Sequence, residues 1–172
     1  MNIREKYNLK ESAHSLSLQP TKPLQKLSQW FLAGILLAAI ILPLFKQFLS
    51  EVLFYSIYIL LGYCILHSLY DIFIRARICY IFDAANNTIL RVSPLTLRKK
   101  IMKLEEAVIF VSSEMGSWHY SLGAKKSHFI KSYAISENFS SGKKSEEKQT
   151  QYEDQILIKI TRLIETAQII KP

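Results

Sequence analysis

Residues 30–45, WFLAGILLAAIILPLF, carry no charge, and residues 52–74, VLFYSIYILLGYCILHSLYDIFI, carry only Asp71. Nothing else in the chain restricts its fold as strongly. Roughly 20 apolar residues cross a bilayer core as a helix. The second run reaches that length alone, and the first reaches it with Leu27 and Phe48 at its ends. A chain of 172 residues offers too little other protein to bury two such helices. The first is not expected to be a cleaved signal, because a long polar stretch precedes it and KQFLSEV after it holds no small-x-small pattern. The linker KQFLSE (46–51) allows only a tight turn. Helices over about 29–48 and 52–74 are therefore predicted to form a transmembrane hairpin with both outer ends on one side.

Charge decides which side. Arg4, Lys6, Lys10, Lys22 and Lys26 precede the first helix, and Arg75, Arg77, Arg91, Arg98, Lys99 and Lys100 follow the second. The turn offers only Lys46. Lys and Arg concentrate in cytoplasmic segments, so both termini are expected in the cytoplasm, on a multi-pass protein of the cell inner membrane. Trp30 suits the interfacial aromatic belt, and Pro43 falls in the last turn of the first span, where a kink is cheaper than at mid-helix. Residues 1–28, polar and containing Pro20 and Pro23, read as a flexible cytoplasmic tail with a short amphipathic turn near PLQKLSQW. Cys64 and Cys79 have no zinc-ligand spacing, and a disulfide is not expected in the cytoplasm.

From residue 78 the hydrophobic period becomes two, opening a cytoplasmic domain over 76–172. Ile78, Tyr80 and Phe82 alternate with Cys79, Ile81 and Asp83; AANN (84–87) supplies a turn, and TILRV (88–92) returns. TLRKKIMKL (96–104) reads as an exposed basic strand, and VIFVSS (108–113), apolar on both faces, as a central one. WHYSLGAKK (118–126) and HFIKSYAISENF (128–139) alternate again, completing an antiparallel meander. SSGKKSEEKQT (140–150) is read as a polar loop. Over 151–169, Ile156, Ile160, Leu163, Ile164 and Ala167 fall at helical spacing, with Lys159, Arg162 and Glu165 elsewhere on the wheel. That amphipathic helix would cover the apolar face of the sheet.

The hairpin YIFDAANNTILRV (80–92), the strand-bend-strand KIMKLEEAVIFV (100–111), the aromatic strand WHYSL (118–122) and the final helix resemble the bacterial membrane-anchored pleckstrin-homology-like families. The layout is also similar to the two-span photosystem I assembly membrane factor. The resemblance implies two transmembrane helices followed by a small α+β domain, an antiparallel PH-like sheet or barrel capped by a C-terminal helix. It implies a binding module, since that fold hosts many functions.

Candidate functional residues are few. An ionisable group within a membrane helix is a functional candidate by default. Asp71, however, lies in the last turn, and Arg75 follows four residues later in the favourable acid-first order, which favours an interfacial pair. His67 lies one turn before Asp71 on the same face; a metal or haem site there would need ligands from another chain, and no cofactor is expected. Gly34 and Ala38, with Gly62 opposite, offer a weak small-xxx-small pattern for the hairpin or a homodimer. Arg98, Lys99, Lys100 and Lys103 form a basic strand that either meets anionic lipid or merely guards a sheet edge. Trp118, beside a turn, is an interface candidate, with Tyr120 assigned to the core.

Residues 75–172 carry a net charge of +6, which suits electrostatic contact without choosing a partner. Nucleic acid is disfavoured, since no recognition-helix motif is present. No Walker loop, GxGxxG, HExxH or GxSxG occurs, and His119 and His128 have only the Ser and Glu neighbours any strand offers. The expectation is a non-enzymatic, membrane-anchored interaction or assembly protein whose sheet domain binds a protein partner by strand edge or groove. The alternative is an accessory or immunity-type membrane protein acting through its helical hairpin on an integral membrane partner.

Overall fold

The structure, a computed structural model, describes residues 3–124 and 131–169. Its N-terminal segment is not the flexible tail expected of residues 1–28. A short helix α1 (Ile3–Lys6) leads to an antiparallel hairpin, β1 (Lys10–Ser12) and β2 (Ser15–Leu18). The physical reason lies in Ser15-Leu16-Ser17-Leu18, a short period-two pattern that buries Leu16 and Leu18. Tyr7, also fully buried, packs edge-on against Tyr152 with ring centroids 5.2 Å apart.

Both apolar runs are helical and long and apolar enough to cross a membrane. Helix α2 (Leu24–Ile41) takes in the PLQKLSQW segment, with Pro23 pre-set at φ −58° before its first residue. It tightens into a 3-10 helix over Leu42–Phe48, where Pro43 sits in the opening turn. Helix α3 (Glu51–Phe73) begins at Ser50, whose hydroxyl accepts from the Leu53 N–H at 3.4 Å. Tyr58 Oη donates to the Ala39 carbonyl at 3.2 Å across the pair. Gly34 and Gly62 do not bring the helices together, because a Cβ on either would meet no atom within 4 Å. Most apolar side chains of both helices face outward; Ile35 and Ile72 are buried, as is the polar Ser68.

A 3-10 turn, Arg75–Arg77, passes from α3 into the sheet, and the Thr21 hydroxyl donates to the Arg75 carbonyl at 2.6 Å. Strands β3 (Cys79–Asp83), β4 (Thr88–Ser93) and β5 (Leu97–Lys103) join β1 and β2 in one antiparallel sheet, ordered β1-β2-β3-β4-β5. Register pairs Leu18 with Tyr80, Leu16 with Phe82 and Phe82 with Ile89, which gathers these buried side chains on one face. The AANN turn forms as expected, with Asn87 at φ 48° and the Asp83 carboxylate accepting the Asn86 N–H at 3.1 Å.

The second sheet holds β6 (Ala107–Glu114), β7 (Ser117–Ala124), β8 (Tyr133–Ala134) and β9 (Phe139–Ser140), the last two both paired with β7. Met115 and Gly116, both at positive φ, make the two-residue turn between β6 and β7. Among the described residues neither sheet closes on itself, so the antiparallel sheets do not establish the expected PH-like barrel. The expected strand over 128–139 starts outside the described residues, as do His128 and Lys125 and Lys126 of the preceding strand. Its described part divides into β8 and β9.

One helix then runs unbroken from Lys143 to Ile169: α4 (Lys143–Tyr152), a π turn over Glu153–Leu157, and α5 (Ile158–Ile169). The expected loop 140–150 is therefore mostly helix. KKSEEKQTQY is polar but rich in strong helix formers, and Tyr152 ends it in the core. Tyr152, Ile156, Ile160 and Ile164 are buried against the sheets, with Leu163 and Ala167 packed beside them, as the expected amphipathic stripe requires. The π turn under-winds the helix between Tyr152 and Ile156 and keeps both on that face.

Candidate interaction surface

Strand β6 is not the central strand its two apolar faces imply. It pairs only with β7, and its other edge meets no strand among the described residues. Beside that edge lies a groove of about 410 Å³, lined by Ile109 and Val111 of β6 and by Leu157, Thr161, Ile164 and Gln168 of the C-terminal helix. Val111 is 58% exposed there. The Gln168 side chain donates to the Ala107 carbonyl at 3.2 Å, closing one end of the edge. An apolar strand with an open edge is normally covered or charged. Here the helix stands back from it along the groove.

A polar and aromatic lock sets the helix at that distance. Trp118 Nε1 donates to Gln149 Oε1 at 3.0 Å. Gln149 Nε2 donates to the Tyr120 hydroxyl at 3.1 Å and to Glu153 Oε1 at 2.8 Å, and Tyr120 donates to Glu153. Tyr152 stacks on Tyr120, centroids 5.9 Å apart, and donates to the Ile135 carbonyl at 2.6 Å. Lys6 and Glu137 pair close by, with side chains 20% and 15% exposed. Burial first, and then the Glu153 carboxylate, push the Tyr120 hydroxyl above its ordinary pKa. Tyr7 is raised by burial and by Glu137, and Tyr152 by burial and its tyrosine and carboxylate neighbours. All three stay protonated, and Tyr120 and Tyr152 serve as donors rather than bases.

The residues singled out from sequence fall into three places. His67 Nδ1 and Arg75 flank Asp71 at 3.6 Å on either side, the predicted alignment on one face of α3. Both are ion-pair distances, longer than hydrogen bonds, and the buried Asp71 Oδ1 receives no hydrogen bond among the described residues. Among the described residues no group of three metal-ligating side chains assembles. Arg98, Lys99, Lys100 and Lys103 stand exposed along β5, as expected of the basic strand. Lys103 meets Glu105 at 3.5 Å; the other three make no side-chain hydrogen bond or ion pair among the described residues. Trp118 is half-buried and packs against the core, so it positions the helix more than it offers a surface. Sequence reasoning missed Gln149 and Glu153, hidden in a polar segment, and Thr161 and Gln168, whose only signal was their place on the polar flank of an amphipathic helix.

Compared with known proteins, the chain matches no family model, no curated protein and no solved structure.

Proposed function

We propose that this chain is a non-enzymatic, membrane-anchored interaction or assembly protein. Helices α2 and α3 cross the bacterial inner membrane as a hairpin with both termini in the cytoplasm, and a domain of PH-like element order holds a protein partner at that surface. The observation that carries the reading is β6, an edge strand with apolar faces beside a groove of about 410 Å³. An extended segment of the partner adds to that edge by backbone hydrogen bonds and seats alternate side chains in the groove. The outward apolar faces of α2 and α3 support the membrane location, and the Lys/Arg distribution supports the orientation.

Gly34 and Gly62 face open space on the helix surfaces, which favours a second reading: the hairpin itself contacts an integral membrane partner through these small residues. Photo-crosslinking in native membranes separates the two. A crosslinker at Val111 is expected to give a discrete adduct that Thr161→Lys, which puts a charge into the groove, abolishes. An adduct from Leu66 on α3 but none from Val111 would replace the first reading by the second, and no adduct from either would remove both. Orientation is tested with Met115→Cys, a fully exposed position, which is expected to react in inside-out vesicles and not in intact cells. Native Cys79 is a poor probe, since burial raises its thiol pKa.

A further inference from the structure

The turn between β4 and β5 combines features that nothing in the soluble domain requires. Ser93 accepts the Thr96 N–H at 3.2 Å, closing a turn over Ser93-Pro94-Leu95-Thr96, and Ser93 pairs with Leu97 where the strands resume. The residue after such a turn adopts the left-handed conformation, a position that favours glycine or asparagine. Here it is Leu97, at φ 47° and 80% exposed, with Leu95 at 69% beside it. Exposed Arg98, Lys99 and Lys100 follow at once. Two bare leucines are thus held outward, one at a backbone cost, and flanked by three side chains with no anionic partner among the described residues.

Register gives the tip its direction. Strand β3 starts at Cys79, two residues after the Arg75–Arg77 turn that ends α3, and Cys79 pairs with Val92. Residues beyond Val92 therefore project past the start of β3, toward the side from which α3 enters the sheet. At about 3.3 Å per residue the tip reaches back roughly 7–10 Å. On the membrane reading, which this inference rests on, that is the level of the lipid headgroups. Apolar side chains at a tip, with basic ones just behind, match the layering of an anionic leaflet: acyl chains within, negative headgroups above.

We propose that the β4–β5 tip is a second membrane contact, with Leu95 and Leu97 inserted at the headgroup–acyl boundary and Arg98, Lys99 and Lys100 holding anionic phospholipid headgroups of the same bilayer. The contact fixes the sheet domain against the membrane in one orientation and sets where the β6 groove is presented.

The test uses the full chain with Cys64→Ser and Cys79→Ser, carrying a nitroxide at Leu95→Cys or, separately, at Ile59→Cys in mid-α3. Both are reconstituted in nanodiscs of phosphatidylcholine alone or mixed with phosphatidylglycerol. Relative accessibility to oxygen and to a water-soluble nickel chelate reads the label depth. The Leu95 label is expected just below the headgroups in the anionic discs. It is expected in water in the neutral discs, and also with Arg98, Lys99 and Lys100 all changed to Glu. Leu97→Gly suits the left-handed backbone, so it keeps the turn while removing the second anchor, and should shift the label outward. A Leu95 label in water in anionic discs, with the Ile59 label deep, overturns this inference alone. Equal insertion in both lipids overturns the headgroup role. An Ile59 label in water overturns the membrane reading and this inference together.

Discussion

On α2 and α3, Leu27, Leu37, Leu60 and Leu66 are 59–69% exposed, whereas Leu16, Leu18, Leu104 and Leu122 in the sheet domain are at most 2% exposed. One chain thus places the same side chain in two opposite settings. In the sheet domain the leucines meet each other, and burial drives folding at roughly 25 cal/mol per Å² removed from water. On the helices they face outward, an exposed apolar surface of the kind that marks a membrane or protein interface. The backbone hydrogen bonds of α2 and α3 are internal to each helix. The sheets depend on every long-range contact, from Tyr7 at one end of the chain to Ile164 at the other.

The sharpest way to break this contrast is one substitution made in both settings. Leu18→Ala is expected to cost the sheet domain about 2–5 kcal/mol, the range for a fully buried leucine. Leu66→Ala, on the outward face of α3, is expected to change sheet-domain stability by less than about 0.5 kcal/mol. Urea titration in nanodiscs, followed by Trp118 fluorescence in a Trp30→Phe background, reads both. A similar loss for the two would mean that the helical pair is part of the folded core.

Next in size is Ile59→Lys, at a position 75% exposed. A lysine at the centre of a membrane helix costs about 2.5–3.5 kcal/mol of insertion free energy. The expected outcome is a smaller fraction of the chain resisting carbonate extraction, with the urea midpoint of the sheet domain unchanged in what remains inserted. Full extraction resistance would argue that α3 does not lie in lipid.

How far the two halves were legible differs in the same way. Uncharged runs of membrane length speak for themselves, and Asp71 with Arg75 followed from spacing alone. The hairpin 80–92, the basic strand and the isoleucine stripe of the last helix were also legible, because each has a local period. What escaped was long-range. Leu16 and Leu18 form only a four-residue pattern between polar neighbours, and their meaning depends on Tyr80 and Phe82, some 65 residues on. The KKSEEKQTQY segment reads as a loop by composition until Gln149 and Tyr152 are seen to reach Trp118, Tyr120 and Ile135. Strand β6 misled for the opposite reason: apolar faces signal burial, and no local pattern distinguishes a covered strand from a bare edge.

Trp118→Phe probes the lock behind that edge. It keeps most of the packing and removes the donor to Gln149, so it is expected to cost about 0.5–1.5 kcal/mol, the net worth of one hydrogen bond. Hydrogen exchange should quicken in α4, around Gln149, while α2 and α3 keep their protection. Unchanged exchange in α4 would show that Tyr120 and Glu153 hold the helix without Trp118.

The smallest expected effect concerns pH, and it falls on one side of the comparison only. The Lys159 ammonium meets Glu11 at 2.6 Å, tying β1 to α5. That hydrogen bond, aided by the charges of Lys159 and Arg4, holds the Glu11 pKa below its ordinary value. The folded pKa is depressed, so the contribution to stability is present above the unfolded value of about 4.3 and is lost as pH falls through the folded pKa. Because the pair is partly exposed, solvent screening keeps the effect small. The urea midpoint of the sheet domain should drop between pH 5 and pH 3 in the native chain and drop less in Glu11→Gln. Some dependence should persist, since Asp83 is also depressed by its hydrogen bonds from Asn86. Equal slopes in the two proteins would show that the N-terminal hairpin is held by Leu16 and Leu18 alone.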